Sequence, residues 1–295
     1  MRLIVDGNHL ASRCRFARVS ELVTSEGAPS GVVYGFLKSL GYVARKLGAS
    51  PGDTIVVFDG GRSSRRMELY PEYKANRTPP DTDEGKAEQR AYYQQLDALR
   101  EQLPNIGVRA IRVSGAEADD IISVVSHMGS TPTVIYSGDA DFHPLACTGI
   151  LLFDPKRELL TEEQILQIHA ADSLEDILAI RVLVGDRTDN IVGVPKVGKK
   201  RAPGIVSKFR KQGWTVDPTD KWQHHCYVTH REVVSRNVLL MRLPRVWRET
   251  YYSVEQGEEL MSQLSCIPIG DPKEFGRFCV QWELKELVDT FAWGI

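Results

Sequence analysis

Three short apolar runs in this chain each close on an aspartate, and nothing else in the sequence constrains the fold as tightly. Residues 2–6, 54–59 and 133–139 read Arg-Leu-Ile-Val-Asp, Thr-Ile-Val-Val-Phe-Asp and Thr-Val-Ile-Tyr-Ser-Gly-Asp. They are β-branched and too short for helices, so they predict buried strands. Residues 32–47 and 118–128, lying between them, repeat apolar positions at helical spacing. Strand alternating with helix favours an α/β fold with a parallel sheet covered by helices. In an open parallel sheet the functional crevice lies beyond the carboxyl ends of the strands. Asp6, Asp59 and Asp139 are therefore expected at one edge.

Further acids join these three: Glu117, Asp119 and Asp120 at a predicted helix start, Asp141 two residues after Asp139, and Asp186 and Asp189 in Gly-Asp-Arg-Thr-Asp-Asn. Glu117 and Asp120, three apart, share a helix face. Asp139 and Asp141, two apart, point the same way from an extended strand end. One aspartate after a strand is ordinarily a turn former, and an acidic first helical turn is ordinarily a cap. Their joint occurrence exceeds what turns and caps require. Gathered at one edge, the acids repel one another unless cations neutralise them. No His or Cys stands at ligand spacing beside them, so hard cations are expected, Mg²⁺ first and Mn²⁺ as substitute. Nine acids are too many for one Mg²⁺. They suit two ions about 3.5–4 Å apart, gripping the attacking and leaving oxygens of a phosphoryl displacement.

The composition fits a globular protein: 42% of the 295 residues are hydrophobic and 26% charged, which excludes disordered, collagenous and membrane classes. Asp6 falls where a signal peptide needs its apolar stretch, so an unprocessed cytoplasmic protein, of a bacterium or a phage-infected cell, is expected. The five cysteines are odd in number and form no C-x-x-C pair, which indicates neither a disulfide framework nor a zinc site. His224, His225, Cys226 and His230 likewise lack a second ligand pair.

A net charge of −2 does not announce a nucleic-acid binder, but the charges are segregated. Seven basic residues and no acid lie between positions 196 and 211: Lys196, Lys199, Lys200, Arg201, Lys208, Arg210 and Lys211. Following the glycine-containing turn at 193–198, this run reads as a phosphate-contacting turn and helix. A second mixed stretch combines Arg62, Arg65, Arg66, Lys74 and Arg77 with Tyr70 and Tyr73, and later Tyr92 and Tyr93. Cations interleaved with rings suit a single strand. That stretch reads as an excursion over the crevice, with a polar helix to about 103. A domain boundary is placed near residue 183.

The motifs Val-Asp-Gly-Asn (5–8), Tyr-Lys-Ala-Asn-Arg (73–77), Glu-Ala-Asp-Asp (117–120), Ser-Gly-Asp-Ala-Asp (137–141) and Gly-Asp-Arg-Thr-Asp-Asn-Ile (185–191) together resemble the 5′-3′ exonuclease and flap endonuclease family. The chain looks nearest to the free-standing bacteriophage-type enzymes and is also similar to the 5′ nuclease domain of bacterial DNA polymerase I. The resemblance runs from residue 1 to at least 204 and more faintly over 236–244. It implies a PIN-like nuclease domain over 1–183 with a helical arch at about 62–104, then a helix-three-turn-helix and C-terminal helical DNA-binding region over 184–295. Asp6, Asp59, Glu117, Asp119, Asp120 and Asp139 match the acids around a first metal, and Asp141, Asp186 and Asp189 those near a second. Lys74 matches the arch lysine that approaches the scissile phosphate and Arg77 its basic neighbour. Lys200 and Arg201 match residues that hold the duplex backbone, with Lys196, Lys199 and Tyr73 as further DNA contacts. The implied activity is a structure-specific 5′ nuclease of replication or repair, acting as a monomer on 5′-flap, 5′-overhang or branched DNA and on RNA–DNA primers. The resemblance also implies K⁺ held by the backbone carbonyls of Val192, Val194 and Val197. At this hairpin the family pattern G-V-x-G-I-G is broken, because Lys196 replaces the central glycine. If that position needs positive φ, the lysine is strained.

Three other readings compete, of which a non-catalytic DNA-junction binder is disfavoured by the intact carboxylate set. A haloacid dehalogenase-type phosphatase uses similar acids on a parallel sheet, but needs a second acid two residues after the first strand's aspartate, where this chain has Asn8. PIN-type ribonucleases are commonly shorter and lack the basic helical C-terminal region.

Overall fold

The computed structural model describes residues 1–147, 149–250 and 252–288. Strands β1 (Arg2–Asp6), β2 (Thr54–Val57), β3 (Arg109–Ile111), β4 (Thr133–Tyr136), β5 (Ile150–Asp154) and β6 (Glu158–Leu159) form one sheet in the order β3-β2-β1-β4-β5-β6. All neighbours pair in parallel except β5 with β6. The strand order reverses direction at β1, so a crevice opens between the carboxyl ends of β1 and its neighbours. The three runs that end in aspartate are the three central strands, and β3 and β5 extend the sheet on either side.

Helices α1 (Gly7–Arg15), α2 (Gly31–Leu47), α3 (Ser64–Leu69), α4 (Asp83–Gln102) and α5 (Ala118–Ser126) follow the strands in the expected alternation. Leu3, Val5, Val56 and Val134 face one core with Phe36, Leu40, Leu99 and Leu103 of α2 and the end of the α4 segment. Ile4, Ile55, Val57 and Ile135 face the other, against Ile121, Ile122 and Val125 of α5. This alternation is the two-sided burial that a parallel sheet imposes.

Beyond the sheet come α6 (Glu162–His169), α7 (Leu174–Val184), the hairpin β7 (Gly185–Asp186) and β8 (Ile191–Val192), and α8 (Ala202–Lys211). α9 (Lys221–Gln223) runs on into a wide π-helical segment at His224–Thr229, and α10 (Arg231–Met241) follows. The β7–β8 hairpin crosses itself so closely that a Cβ on Gly185 would lie 2.4 Å from Gly193 N. One on Gly193 would lie 2.2 Å from the Val184 carbonyl. Glycine at both positions is what allows the crossing.

The last helices pack across the expected boundary. α11 (Val254–Ser265), α12 (Pro272–Gln281) and α13 (Lys285–Val288) lie against the cores of the first sheet. Leu260 joins the α5 core, and Phe275, Phe278, Cys279, Leu284 and Leu287 join the α2 core. Residues 252–288 form a strap along the first sheet, whose two cores cover their apolar stripe. No helix among the described residues is long and apolar enough to cross a membrane.

Candidate active site

Asp6 ends β1 and caps α1. Its Oδ1 accepts the His9 N–H at 2.9 Å and its Oδ2 the Ser137 hydroxyl at 2.9 Å, tying β1 to the end of β4. Asp59 accepts the Ala118 N–H at 2.8 Å, and its own N–H donates to Asn8 Oδ1 at 2.9 Å. Asn8 thus holds a backbone where a phosphatase of the rival class would need its second acid. Asp139 accepts the Asp141 N–H at 2.9 Å. β5 supplies the contrast: it also ends in an aspartate, Asp154, but that carboxylate caps the N–H groups of Lys156 and Arg157 and is a turn former.

The acids of β1, β2, β4 and α5 are close enough to control one another's ionisation. Burial, with repulsion from Asp59, pushes Asp6 up to about 6. Burial and the neighbouring Asp141 push Asp139 up to about 7. Asp119 rises well above the carboxylate range, through burial first and then the charges of Asp139, Asp6, Asp141 and Asp59. These are the signatures of like charges crowded into one low-dielectric crevice.

A second group is held by protein cations. Burial alone would raise Asp141, but the Arg181 guanidinium outweighs it and holds the carboxyl below its usual value. The same guanidinium lies 3.3 Å from Asp186. Asp186 in turn accepts the Thr188 N–H at 2.7 Å, which shapes the turn to Asp189. Arg77 donates to Asp189 at 2.7 Å.

Lys74 is buried, and its Nζ donates to Glu117 at 2.6 Å with Asp189 at 3.8 Å. Its backbone is left-handed (φ 55°), and its N–H donates to the Asp189 carbonyl at 2.9 Å. A lysine held there at a cost of about 1–3 kcal/mol marks a position fixed by its surroundings. The motif at 73–77 is thereby clamped onto the 186–190 turn, with Asn190 donating to the Glu72 carbonyl at 2.7 Å and Asn76 to that of Arg187 at 3.0 Å.

Several expectations are corrected. Tyr73 is buried, and its hydroxyl donates to Glu117 at 3.1 Å, so it offers no ring to a strand. Arg66 is also buried: it donates to Asp120 at 2.7 and 2.8 Å, to the Leu240 carbonyl at 3.0 Å and to Glu117. Glu117 and Asp120 are consequently paired with Arg66 and Lys74, and the Tyr252 hydroxyl adds a bond to Asp120 at 2.7 Å. In the basic run, Lys208 pairs with Asp220, Arg210 with Asp176, and Lys211 with Asp172. Lys196, Lys199, Lys200 and Arg201 at the turn are exposed.

Arg181 and Tyr252 were missed by sequence reasoning. Arg181 left a signal, as the one basic residue in the otherwise apolar and acidic Leu-Glu-Asp-Ile-Leu-Ala-Ile-Arg-Val-Leu-Val. Tyr252 left none, standing 132 positions from its partner.

Among the described residues no three Asp, Glu, His or Cys side chains are already drawn together as a ligand cage. The donor set nevertheless fits hard divalent ions. Every side-chain ligand on offer is a carboxylate oxygen, and burial followed by mutual repulsion raises Asp6, Asp119 and Asp139, a penalty that a bound cation relieves. A cavity of about 600 Å³ opens beside Asp59, Lys74, Arg77 and Glu117 and runs under α4 to Tyr93, Arg100 and Arg112. Two of the three carbonyls expected to hold K⁺ already accept hydrogen bonds. The Val192 carbonyl accepts from Arg236 at 2.9 Å and Asn237 at 3.0 Å, and the Val194 carbonyl accepts the Val197 N–H at 3.1 Å.

Fold and site together define an α/β protein of the kind whose acid-lined crevice opens at the carboxyl edge of a parallel sheet. The chain belongs to the 5′-3′ exonuclease family, an enzyme family: residues 1–170 match the 5′-3′ exonuclease N-terminal resolvase-like domain. It is 30% identical over 246 residues to a 5′-3′ exonuclease of Aquifex aeolicus, covering 81% of this chain and 80% of that one. A 5′-3′ exonuclease of Buchnera aphidicola is 31% identical over 211 residues, 70% of each chain. The thermostable DNA polymerase I of Thermus thermophilus is 34% identical over 210 residues, but these are only 24% of that enzyme. In fold the chain is similar to bacteriophage T5 5′-exonuclease solved with zinc, with a TM-score of 0.72 and 22% identity over 90% of this chain and 98% of that one.

Proposed function

We propose that this chain is a structure-specific 5′ nuclease, cutting flapped, overhanging or branched DNA with two divalent ions, Mg²⁺ by preference and Mn²⁺ as substitute. One observation carries the reading: Asp6, Asp59, Asp119 and the Asp139–Asp141 pair come from four separate segments and lie close enough at one sheet edge to raise the pKa values of Asp6, Asp119 and Asp139. Support comes from the relatives, 5′-3′ exonucleases by name, and from a fold neighbour, a T5 flap endonuclease solved with DNA and metal ions (TM-score 0.70, 23% identity).

Asp6, Asp59 and Asp119 would hold one ion. Asp139, Asp141, Asp186 and Asp189 would approach the other, with Arg181 keeping Asp141 and Asp186 ionised and aimed. Bound ions would activate a water for attack on phosphorus and stabilise the departing 3′ oxygen. Lys74, fixed by Glu117, presents an ammonium at the crevice where phosphate charge develops, an effect worth about 3 kcal/mol in a water-poor site. Arg77, half exposed beside Asp189, would meet the neighbouring phosphate. Lys196, Lys199, Lys200 and Arg201 would follow the duplex backbone and carry no base code. The nuclease unit would then comprise residues 1–183 with the strap from 252, and the duplex-holding unit residues 184–241.

The test is incubation with Mg²⁺ and a flapped duplex labelled at its 5′ end, mapping each cut relative to the junction. Cuts clustered at the junction are expected. Dependence on a free 3′ end, or no cleavage with either Mg²⁺ or Mn²⁺, would overturn the reading.

A further inference from the structure

The turn that follows β8 carries its carbonyls in an unusual way. Val192 O accepts two side-chain donors, Arg236 Nη2 at 2.9 Å and Asn237 Nδ2 at 3.0 Å. Pro195 O lies 2.9 Å from His225 Nε2, and Lys196 O accepts from Arg201. Lys196 itself is left-handed, with φ 64°. A turn of this shape concentrates carbonyl dipoles, and a cation or strong donors must satisfy them. Here Arg236 and Asn237 of α10, His225 of the π-helical segment and Arg201 do so.

Arg236 is the central member. Its guanidinium donates to Asn237 Oδ1 at 2.9 Å as well as to Val192 O. Its guanidinium carbon lies over the ring of Tyr70, 4.4 Å from the ring centre, at the end of α3 and the base of the excursion over the crevice. Asn237, fully buried, donates also to Val182 O at 3.0 Å, so the pair is anchored in α7. One guanidinium therefore touches the DNA-facing turn and the segment that carries Lys74 and Arg77.

We infer that Arg236 occupies the place of a monovalent cation at this turn, making duplex binding independent of potassium and fastening the turn to Tyr70. The inference rests on the turn being a duplex contact, as proposed above. Arginine suits the role because it keeps its charge and presents several donors in a fixed plane that also stacks on a ring. A lysine would supply the charge without the plane.

Affinity for a 5′-flap duplex tests this, measured by fluorescence anisotropy with Ca²⁺ in place of Mg²⁺ so that binding is read without turnover. The salt is K⁺ in one series and N-methylglucamine, too large for a carbonyl seat, in the other, at equal ionic strength. The native chain is expected to bind equally, within about twofold, in both. Arg236→Gln is expected to weaken binding about tenfold without potassium, the scale of one lost charged hydrogen bond. Arg236→Lys, milder for folding, should lose part of that affinity. Native binding that collapses when potassium is withdrawn would overturn the inference alone, as would Arg236→Gln binding like the native chain. No binding in either salt would overturn the nuclease reading and this inference with it.

Discussion

The Arg66 guanidinium grips Asp120 through both terminal nitrogens, at 2.7 and 2.8 Å, and both groups are buried. This pair, with Glu117 and Tyr252, joins the base of the excursion to α5 and to the C-terminal strap. It pairs two acids expected at the metal site with protein cations, on the floor of the crevice.

Removing one partner leaves the other charge buried. Arg66→Met is expected to destabilise the protein by about 3–5 kcal/mol, read as the free energy of chemical denaturation. Tyr252→Phe removes two hydrogen bonds, the one to the same carboxylate and the one accepted from the Glu117 N–H, and should cost about 2–3 kcal/mol. A loss below about 1 kcal/mol for Arg66→Met would show that the pair is not the floor described here.

Asp141→Asn keeps shape while removing a carboxylate from the ion-binding set. Cleavage of a flap substrate should fall below detection while affinity for the same DNA stays within about threefold, because the basic turn is untouched. Retained turnover would contradict the assignment of Asp141.

Lys74→Ala separates catalysis from binding. A cation that acts on developing charge lowers kcat by about a hundredfold or more and leaves DNA affinity nearly unchanged. An equal loss in both would make Lys74 a binding residue.

Acid–base linkage gives a further expectation. Asp6 and Asp139 have folded pKa values raised to about 6 and about 7. Their contribution is present below the unfolded carboxylate pKa and is lost as pH rises through the folded values. Buried His143 and half-buried His169, with ring nitrogens 2.8 Å apart, behave oppositely: desolvation lowers both to about 4. Each is neutral in the fold but takes a proton when unfolded, so stability is lost as pH falls from the unfolded value toward about 4. Bound Mg²⁺ removes the carboxylate penalty and leaves the histidine one. The rise in Tm on adding Mg²⁺ should therefore be larger at pH 7.5 than at pH 5.5. A rise independent of pH would contradict the crowded-acid description.

Much of this was legible in the sequence. β-branched runs ending in Asp6, Asp59 and Asp139 marked the three central strands, since burial on both faces demands such residues. The periodicity of residues 32–47 and 118–128 matches α2 and α5 to within a residue or two. Lys196 does adopt the positive φ whose strain its position foretold. Long-range pairing stayed hidden. Tyr73 and Arg66 looked like solvent-facing partners for a strand because their local neighbours are polar. Only acids tens of positions away, brought in by α5, make their burial tolerable. The strap from 252 carries an ordinary amphipathic pattern, which states that a face is covered but not by what.

The count of divalent ions at equilibrium tests the central claim most directly. With flap DNA present, Mn²⁺ binding followed by the electron paramagnetic resonance of the free ion should give two sites per chain, displaced by Mg²⁺. Asp139→Asn and Asp141→Asn should each weaken or abolish one of them. A native chain that binds no Mn²⁺, or whose bound ions are indifferent to both substitutions, would contradict the account.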